Sequence, residues 1–355
     1  MIPLKEDLHT EFKSSFNEEV IVSLLIPIYN VERYIERCAR SLFEQTYTNL
    51  EYVFVNDCTP DLSVEILKNT RDEYPEKAPV TKIINHEKNR GLAACRNTAL
   101  DNATGEFVVF VDSDDWLELD AIELLIKKQE ETGAVIVSGN RIVHYEKEES
   151  LLEEKRYDGQ EEMTLHMMRR SWDHFITGRL FVANLFVENG LRWNEGLNLA
   201  EDRYMMTLLA YYAKSFANID EVVYHYERRN EGSITGSGAG KKVVRNNAQE
   251  LGNLLALEQF FEDKEQVFRD ECARCVVEQM SFNLKVMLKY SSKEEFHNVV
   301  TLLDTRSDED LDIIGWNKTG IKGLFQHNYT YMKMKWLKDK CVGFIKRRWN
   351  VLLNR

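Results

Sequence analysis

Proline is scarce, with five residues in a chain of 355. Long apolar runs are absent as well. The longest, VIVSLLIPI, is interrupted by Ser23 and Pro27 and falls well short of the roughly 20 residues that a membrane-spanning helix needs. The beginning, MIPLKEDLHTEF, is polar and acidic, without a basic stretch leading into an apolar one, so a cytoplasmic chain is the expectation. Positive charge is in deficit: 46 Lys and Arg face 59 Asp and Glu, for a net charge of −13. That excess of acid argues against nucleic acid as a partner, because such binding runs on clustered Lys and Arg. Cysteines are few and scattered, at Cys38, Cys58, Cys95, Cys272, Cys275 and Cys341, which reads as reduced thiols. Cys272 and Cys275 form a C-x-x-C in a helical pattern, but no second ligand pair accompanies them, so a zinc or redox role is not assigned. No internal repeat is evident. A G-x-G-x-x-G turn is missing too. The first strand pattern runs into PIYNVERY, which excludes the redox dinucleotide fingerprint.

What is present is a globular composition, 43% hydrophobic and 30% charged, enough for one large domain or two ordinary ones. Strand-like and helix-like patterns alternate through about residue 140. IVSLLIPI, LEYVFV, VTKIIN, EFVVFVD and GAVIVSG read as strands; the segments between them read as helices. In the first of these, apolar residues at 31, 34, 35, 38, 42 and 43 mark one face. Asp61 is placed to cap the second. Strands apolar on both faces with short connections predict a parallel sheet wrapped by helices. Ligands then bind at the C-terminal strand ends, where the sequence reads PIYN, NDCTPD and DSDD. Residues 145–165 are charge-rich and read as an exposed connection. LAEDRYMMTLLAYYA reads as an amphipathic helix opening on two acids, and NEGSITGSGAG as a Gly/Ser loop. From Lys241 onward helical periodicity dominates.

The stretch FVVFVDSDDW delivers Asp112, Asp114 and Asp115 to one point. Two unit charges about 4 Å apart repel by about 4 kcal/mol at an effective dielectric near 20. A divalent cation, Mg²⁺ or Mn²⁺, is the economical compensation, since these ions take one or two carboxylates together with phosphate oxygens of a substrate. Asp-x-Asp spacing puts two of the carboxylates on one side of an extended chain. Asp115 serves equally well as a helix-capping acid.

In this order, VSLLIPIYN, VFVNDCTPD, NRGLAACRNTAL, GEFVVFVDSDDWL and LNLAEDRYM resemble the family 2 glycosyltransferases over about residues 21–235. The resemblance implies a GT-A type, Rossmann-like, mostly parallel sheet flanked by helices, a nucleotide-sugar donor and inversion at the anomeric carbon. It places Pro27, Tyr29, Asn30 and Glu32 along the nucleotide pocket and Asp57 on the uracil ring, although Asp57-Cys58-Thr59 stands where the family usually has Asp-Gly-Ser. Gly91, Arg96 and Asn97 flank the nucleotide and diphosphate. Asp112, with Ser113 beside it, reaches the ribose or sugar, and Asp114 holds the metal, with Asp112 and His225 as further candidates. Asp202 of the acidic pair is the general base. Tyr226, Arg228 and Arg229 resemble the segment that closes over the diphosphate. Trp172 and Trp193 are candidates for stacking on an acceptor sugar, with core packing the alternative.

The segment 333–355 differs in kind. Eight Lys/Arg against one Asp are interleaved with Trp336, Phe344, Ile345, Trp349, Leu352 and Leu353. A basic amphipathic segment with Trp suits an anionic membrane surface; packing on the body or on a partner is the alternative. The expectation is therefore an N-terminal extension (1–20), a catalytic domain (21–235) and a helical region (236–355) that ends at the inner face of a membrane. The reaction expected is sugar transfer from a nucleotide-sugar, a UDP-sugar for choice, to a glycan or lipid-linked acceptor in surface polysaccharide biosynthesis. A catalytically silent scaffold and a nucleotidyltransferase are the competing readings. The intact acids speak against the first, and PIYN in place of a glycine- and basic-rich loop speaks against the second.

Overall fold

The structure, a computed structural model, describes residues 20–169, 171, 173–230, 241–290 and 292–306. It divides into two units, one drawn from Met1–Met163, Trp172–Gly196 and Leu208–Gly232, the other from Thr164–Ser171, Leu197–Thr207 and Ser233–Arg355. The elements in chain order are β1 (Val22–Ile28), α1 (Ile35–Phe43), β2 (Leu50–Asn56), α2 (Ser63–Asp72), β3 (Thr81–Asn85), α3 (Leu92–Asp101), β4 (Phe107–Phe110), β5 (Trp116–Leu117), α4 (Ala121–Thr132), β6 (Ile136–His144), β7 (Glu149–Leu152), α5 (Gln160–Met168), β8 (Arg179–Val182), α6 (Asn184–Glu188), α7 (Glu201–Tyr212), β9 (Phe216–Glu227), α8 (Lys241–Phe261), α9 (Gln266–Tyr290) and α10 (Lys293–Asp304).

All nine strands belong to the first unit and form one sheet, ordered β3-β2-β1-β4-β8-β6-β9-β5, with β7 paired to β6. β3, β2, β1 and β4 are mutually parallel, so their C-terminal ends share one edge, as the alternating pattern predicts. The Val, Leu, Ile and Phe side chains of β1, β2 and β4 are buried on both faces, and those of β3 at the sheet edge are partly buried. On one face they meet Ile35, Cys38, Leu42 and Phe43 of α1 and Leu125 of α4. Each such side chain contributes about 1.5–3 kcal/mol on burial, which fixes the strand ends rigidly.

Beyond β4 the sheet is mixed. β8 runs antiparallel to β4 and β6, β5 antiparallel to β9, and β6 parallel to β9. The sequence pattern does not announce these strands, for physical reasons. β5 and β8 are too short for a period to register, and β7 is an exposed edge of sequence ESLL. The charge-rich segment 145–165 thus contains β7 and the start of α5 rather than a plain connection. β6 extends past GAVIVSG because the polar residues that follow are themselves buried and partnered.

Arg141 and Arg179 are each 1% exposed, and both face Glu154, which is 5% exposed, at 3.9 and 2.5 Å. Arg141 also donates to the Thr177 carbonyl and Arg179 to that of Asp173. Removing the one carboxylate strands two buried cations. Glu154→Ala is expected to destabilise the fold by about 3–5 kcal/mol, read as a lowered urea midpoint at unchanged slope. A loss below about 1 kcal/mol would contradict this ion cluster.

In the second unit α8 packs on α9 and α9 on α10. Leu251, Leu254 and Leu257 of α8 recur at helical spacing and are buried. Asn283 of α9 donates to the Asn247 carbonyl of α8 at 3.1 Å, a polar stitch within this packing. Cys272 and Cys275 are both buried in α9. Burial pushes both thiols up, that of Cys275 to about 11, so the C-x-x-C is packing material in this helix. Among the described residues no helix is long and apolar enough to cross a membrane. The basic segment 333–355 and residues 231–240 of the Gly/Ser loop lie outside the described residues.

Candidate active site

The two loops that follow β1 and β2 are laced together. Asn30 donates its backbone N–H to the Thr59 hydroxyl (2.8 Å), Val31 to the Ser63 hydroxyl (3.1 Å) and Glu32 to Asp61 Oδ2 (2.9 Å). The return bond runs from the Leu62 N–H to Glu32 Oε2 at 3.1 Å. Asp61 Oδ1 also accepts from Thr59 and from both the N–H and hydroxyl of Ser63. Burial raises the Asp61 carboxyl, but these hydrogen bonds outweigh it and hold the group below its usual range. Asn30 takes φ +57° and Cys58 +56°, so both loops turn through the left-handed region, which Asn tolerates better than Cys. The result is a cleft of about 320 Å³ lined by Asn30, Glu32, Arg33, Tyr34, Asp61, Arg229 and Asn230. Tyr29, just past the end of β1, is half exposed, and Pro27 is partly buried in the strand.

The DSDD acids separate into two kinds. Asp112 is 30% exposed and meets Arg96 Nη2 at 3.2 Å. Asp114 accepts from Asn230 Nδ2 at 2.9 Å, which joins it to the cleft. Burial, then the charge of Asp112, raises the Asp114 carboxyl to about 6. Ser113 between them is buried. Asp115 is fully buried; it accepts from the Tyr224 hydroxyl at 2.6 Å and from the Glu227 N–H at 2.7 Å. Burial and the charges of Asp114 and Asp112 push it well above the carboxylate range. Of the two roles open to Asp115, the structural one is what the geometry shows: it welds the end of β4 to β9. Gly178, at φ +68°, permits this, since a Cβ there would lie 2.6 Å from the Tyr224 ring.

Four residues outside the motif assignments complete the surroundings. Arg37 of α1 lies 3.6 Å from the centroid of the Trp116 ring, donates to the Asp114 carbonyl at 2.9 Å and meets Glu227 at 3.2 Å. Glu227 is 2% exposed and also pairs with Arg229. Burial would raise it, yet Arg229 and Arg37 hold it down to about 2. Arg37 comes from α1, Trp116 ends the FVVFVDSDDW stretch, and Glu227 and Asn230 stand at and just beyond the end of β9, so no single motif announces their convergence.

The remaining candidate residues that the structure describes each have partners within the protein. His225 stacks on Trp116 at 4.7 Å, and its two ring nitrogens face His144 (3.0 Å) and Glu118 (2.7 Å). Both nitrogens are engaged by protein groups. Arg96 is 1% exposed and holds Asp112 instead of lining the cleft. Asn97 exchanges two hydrogen bonds with the backbone of Trp193, at 3.0 and 2.9 Å. Trp193 is buried against Phe110 and Phe186, a core position. Asp57 is buried and turned to the framework: His86 and the N–H groups of Arg90 and Gly91 meet its carboxylate at 2.7–2.8 Å. Gly91 takes φ +89° to present that N–H. Tyr226 packs in β9 against Phe175. Arg228 is exposed, 5.7 Å from the centroid of the Tyr145 ring, whereas Arg229 lines the cleft. Trp172 lies outside the described residues.

Asp202 belongs to the second unit. It sits in the first turn of α7 beside the buried Glu201. The turn before it is held by α8: Asn198 donates to Gln249, and Asn253 to the carbonyl of Leu199, both at 3.0 Å. Arg203 donates to the Met168 carbonyl and pairs with Glu250.

Residues 23–186 match the family described as glycosyl transferase family 2. The chain carries a family 2 glycosyltransferase domain. Among curated relatives, the glycosyltransferase GlyA of Streptococcus pneumoniae serotype 4 is 35% identical over 231 residues, covering 60% of this chain and 31% of that protein. The first three such relatives are covered over 31%, 61% and 63% of their own lengths. Among solved structures, Staphylococcus aureus TarS 1-349 in complex with UDP-GlcNAc aligns with a TM-score of 0.62 at 19% identity, over 82% of this chain and 83% of that one. The mannosyltransferase PcManGT of Pyrobaculum calidifontis in complex with GDP-Man and Mn²⁺ aligns at 0.51 and 16% identity, over 92% and 86%. These two likenesses establish the GT-A fold.

The glycosyltransferase domain offers a donor set fit for a hard cation. Asp112 and Asp114 are oxygen donors, and the Asn230 amide is within hydrogen-bond reach of Asp114. Oxygen-only donors select Mg²⁺ or Mn²⁺ over softer metals.

Proposed function

We propose that the chain is an inverting, metal-dependent glycosyltransferase. It moves a sugar from a nucleotide-sugar, for choice a UDP-sugar, to a hydroxyl of a glycan or lipid-linked acceptor in surface polysaccharide biosynthesis. The observation that carries this reading is the Asp112–Asp114 pair at the end of β4, joined through Asn230 to the cleft between the β1 and β2 loops. The uridine choice follows the TarS complex and the metal follows the PcManGT complex.

In this reading Pro27, Tyr29, Asn30 and Glu32 flank the nucleoside, Asp112 contacts the ribose or sugar, and Arg229 turns positive charge toward the diphosphate. Asp114 would hold the divalent ion, with Asp112 beside it; when bound, such an ion neutralises charge growing on the leaving diphosphate. Asp202 accepts the proton of the acceptor hydroxyl as that oxygen bonds to the anomeric carbon. The bond from that carbon to the diphosphate oxygen breaks, and its electron pair leaves with the nucleoside diphosphate. Attack and departure lie on opposite faces, so the configuration inverts. The test is a panel of nucleotide-sugars assayed for released nucleoside diphosphate with Mn²⁺ or Mg²⁺ and with EDTA. Release confined to metal-containing reactions supports the reading. A full chain that neither binds nor turns over any nucleotide-sugar is a scaffold, and pyrophosphate release would make it a nucleotidyltransferase.

The basic segment 333–355 is proposed to contact the membrane face. Each Lys or Arg near an anionic surface contributes about 1 kcal/mol. Co-sedimentation with vesicles containing phosphatidylserine is expected for the full chain at low salt and is expected to be lost when 333–355 is removed. Equal sedimentation of both chains would contradict it.

A further inference from the structure

Away from the cleft, one cluster has the composition of a second metal site. Asp57 follows β2, His86 follows β3 and Cys95 lies in the first turn of α3. One ligand atom from each, carboxylate oxygen, ring nitrogen and Sγ, lie within 4.8 Å of one another. Asp57 and Cys95 are each 2% exposed, and the His86 side chain 5%. In the sheet order β3-β2-β1-β4, β2 is two strands from β4, so this cluster is about 10 Å or more from the DSDD edge. We propose that Asp57, His86 and Cys95 bind a zinc ion that locks the turn after β2.

The chemistry favours zinc for three reasons. First, a thiolate, an imidazole and a carboxylate suit a borderline-soft divalent ion and disfavour Mg²⁺. Second, the charges close. In the ion-free state burial and Asp57 keep the Cys95 thiol protonated. Binding releases that proton to solvent. Two positive charges then meet one thiolate, one carboxylate and a neutral imidazole. The buried set is neutral, which avoids the cost of an isolated buried charge. Third, the outer contact of His86 is in place. Its Nδ1 is 2.8 Å from Asp57 Oδ1, and its Nε2 is 2.9 Å from the Thr98 hydroxyl. On binding, the ring proton moves from Nδ1 to Nε2, and the Thr98 oxygen accepts it, the usual support for a ligating histidine. The Nδ1–Oδ1 pair needs to open only to about 3.3 Å to span a tetrahedral zinc. Asp57 also accepts from the N–H groups of Arg90 and Gly91. The ion would therefore tie the β2 turn, the end of β3 and the start of α3 together.

The test uses the full chain, stripped with chelator under reducing conditions and titrated with Co²⁺ as the probe. One equivalent should produce the near-ultraviolet charge-transfer absorption of a cobalt–thiolate bond, bleached by one equivalent of Zn²⁺. Calorimetry with Zn²⁺ in two buffers of different ionisation enthalpy should give about one proton released per ion. The absorption should vanish in Cys95→Ser and persist in Cys272→Ser, Cys275→Ser and Asp114→Asn. Two results overturn the proposal: a folded wild-type chain without the absorption, or its persistence in Cys95→Ser. The first needs no variant to fold, and neither depends on glycosyl transfer.

Discussion

Asp114→Ala is expected to lower turnover by at least about a thousandfold, with the fold intact. The physical basis is the charge that the leaving nucleoside diphosphate gains as its bond to the sugar breaks. Neutralising that charge is worth several kcal/mol, and each 1.4 kcal/mol is a factor of ten in rate. Asp114 is the acid suited to this work. Asp115 is fully buried and consumed by Tyr224 and Glu227, and Asp112 is partly answered by Arg96. The same site carries an opposite expectation for stability. Without metal, Asp114 and Asp112 repel each other, so Asp114→Asn should melt above the metal-free wild type while losing activity. Added Mn²⁺ should raise the melting temperature of the wild type and leave that of the variant unchanged. Retained turnover in Asp114→Ala, or a variant less stable than the metal-free wild type, would contradict this assignment.

Asp202→Asn carries the second large effect. Loss of a general base costs about 10²- to 10⁴-fold in rate. The amide keeps the shape of the side chain and its place in the first turn of α7, and it removes only the capacity to accept the proton. The loss should fall on kcat, while KM for the donor stays within about twofold, because Asp202 is not among the residues that line the donor cleft. The slow hydrolysis of donor by water should fall less than transfer to the acceptor. A rise in donor KM at unchanged kcat would instead make Asp202 a binding residue.

The parallel half of the sheet is legible in the sequence because β1, β2 and β4 are buried on both faces and its strands are separated by helices of ordinary length. For the same reason the location of the site, at the ends of β1, β2 and β4, follows from the strand pattern and the polar residues that end it. Patterns fail where pairing is decided by distant partners. β8 is four residues long, and β6 continues through Arg141 and His144 only because Glu154 and Glu149 meet them. Within the candidate site, motif position singles out Asp112 and Asp114 as candidates but not their partners. Arg96, Asn97 and Asp57 stand in motif segments, yet their side chains turn inward, to Asp112, to the Trp193 backbone and to His86. A motif marks which segment approaches the ligand and is silent on which of its side chains faces outward. Arg37, Glu227 and Asn230 reach the acids from α1, the end of β9 and the residues just beyond it, a convergence visible only in three dimensions.

The most direct measurement of the central claim is a calorimetric titration of the full chain with UDP, in buffer with Mn²⁺ and in buffer with EDTA, repeated on Asp114→Ala. The account predicts binding to the wild type that is at least about tenfold tighter with Mn²⁺, worth about 1.4 kcal/mol, and no metal effect in the variant. Equal affinity with Mn²⁺ and EDTA in the wild type, or a metal effect that survives in Asp114→Ala, would contradict it.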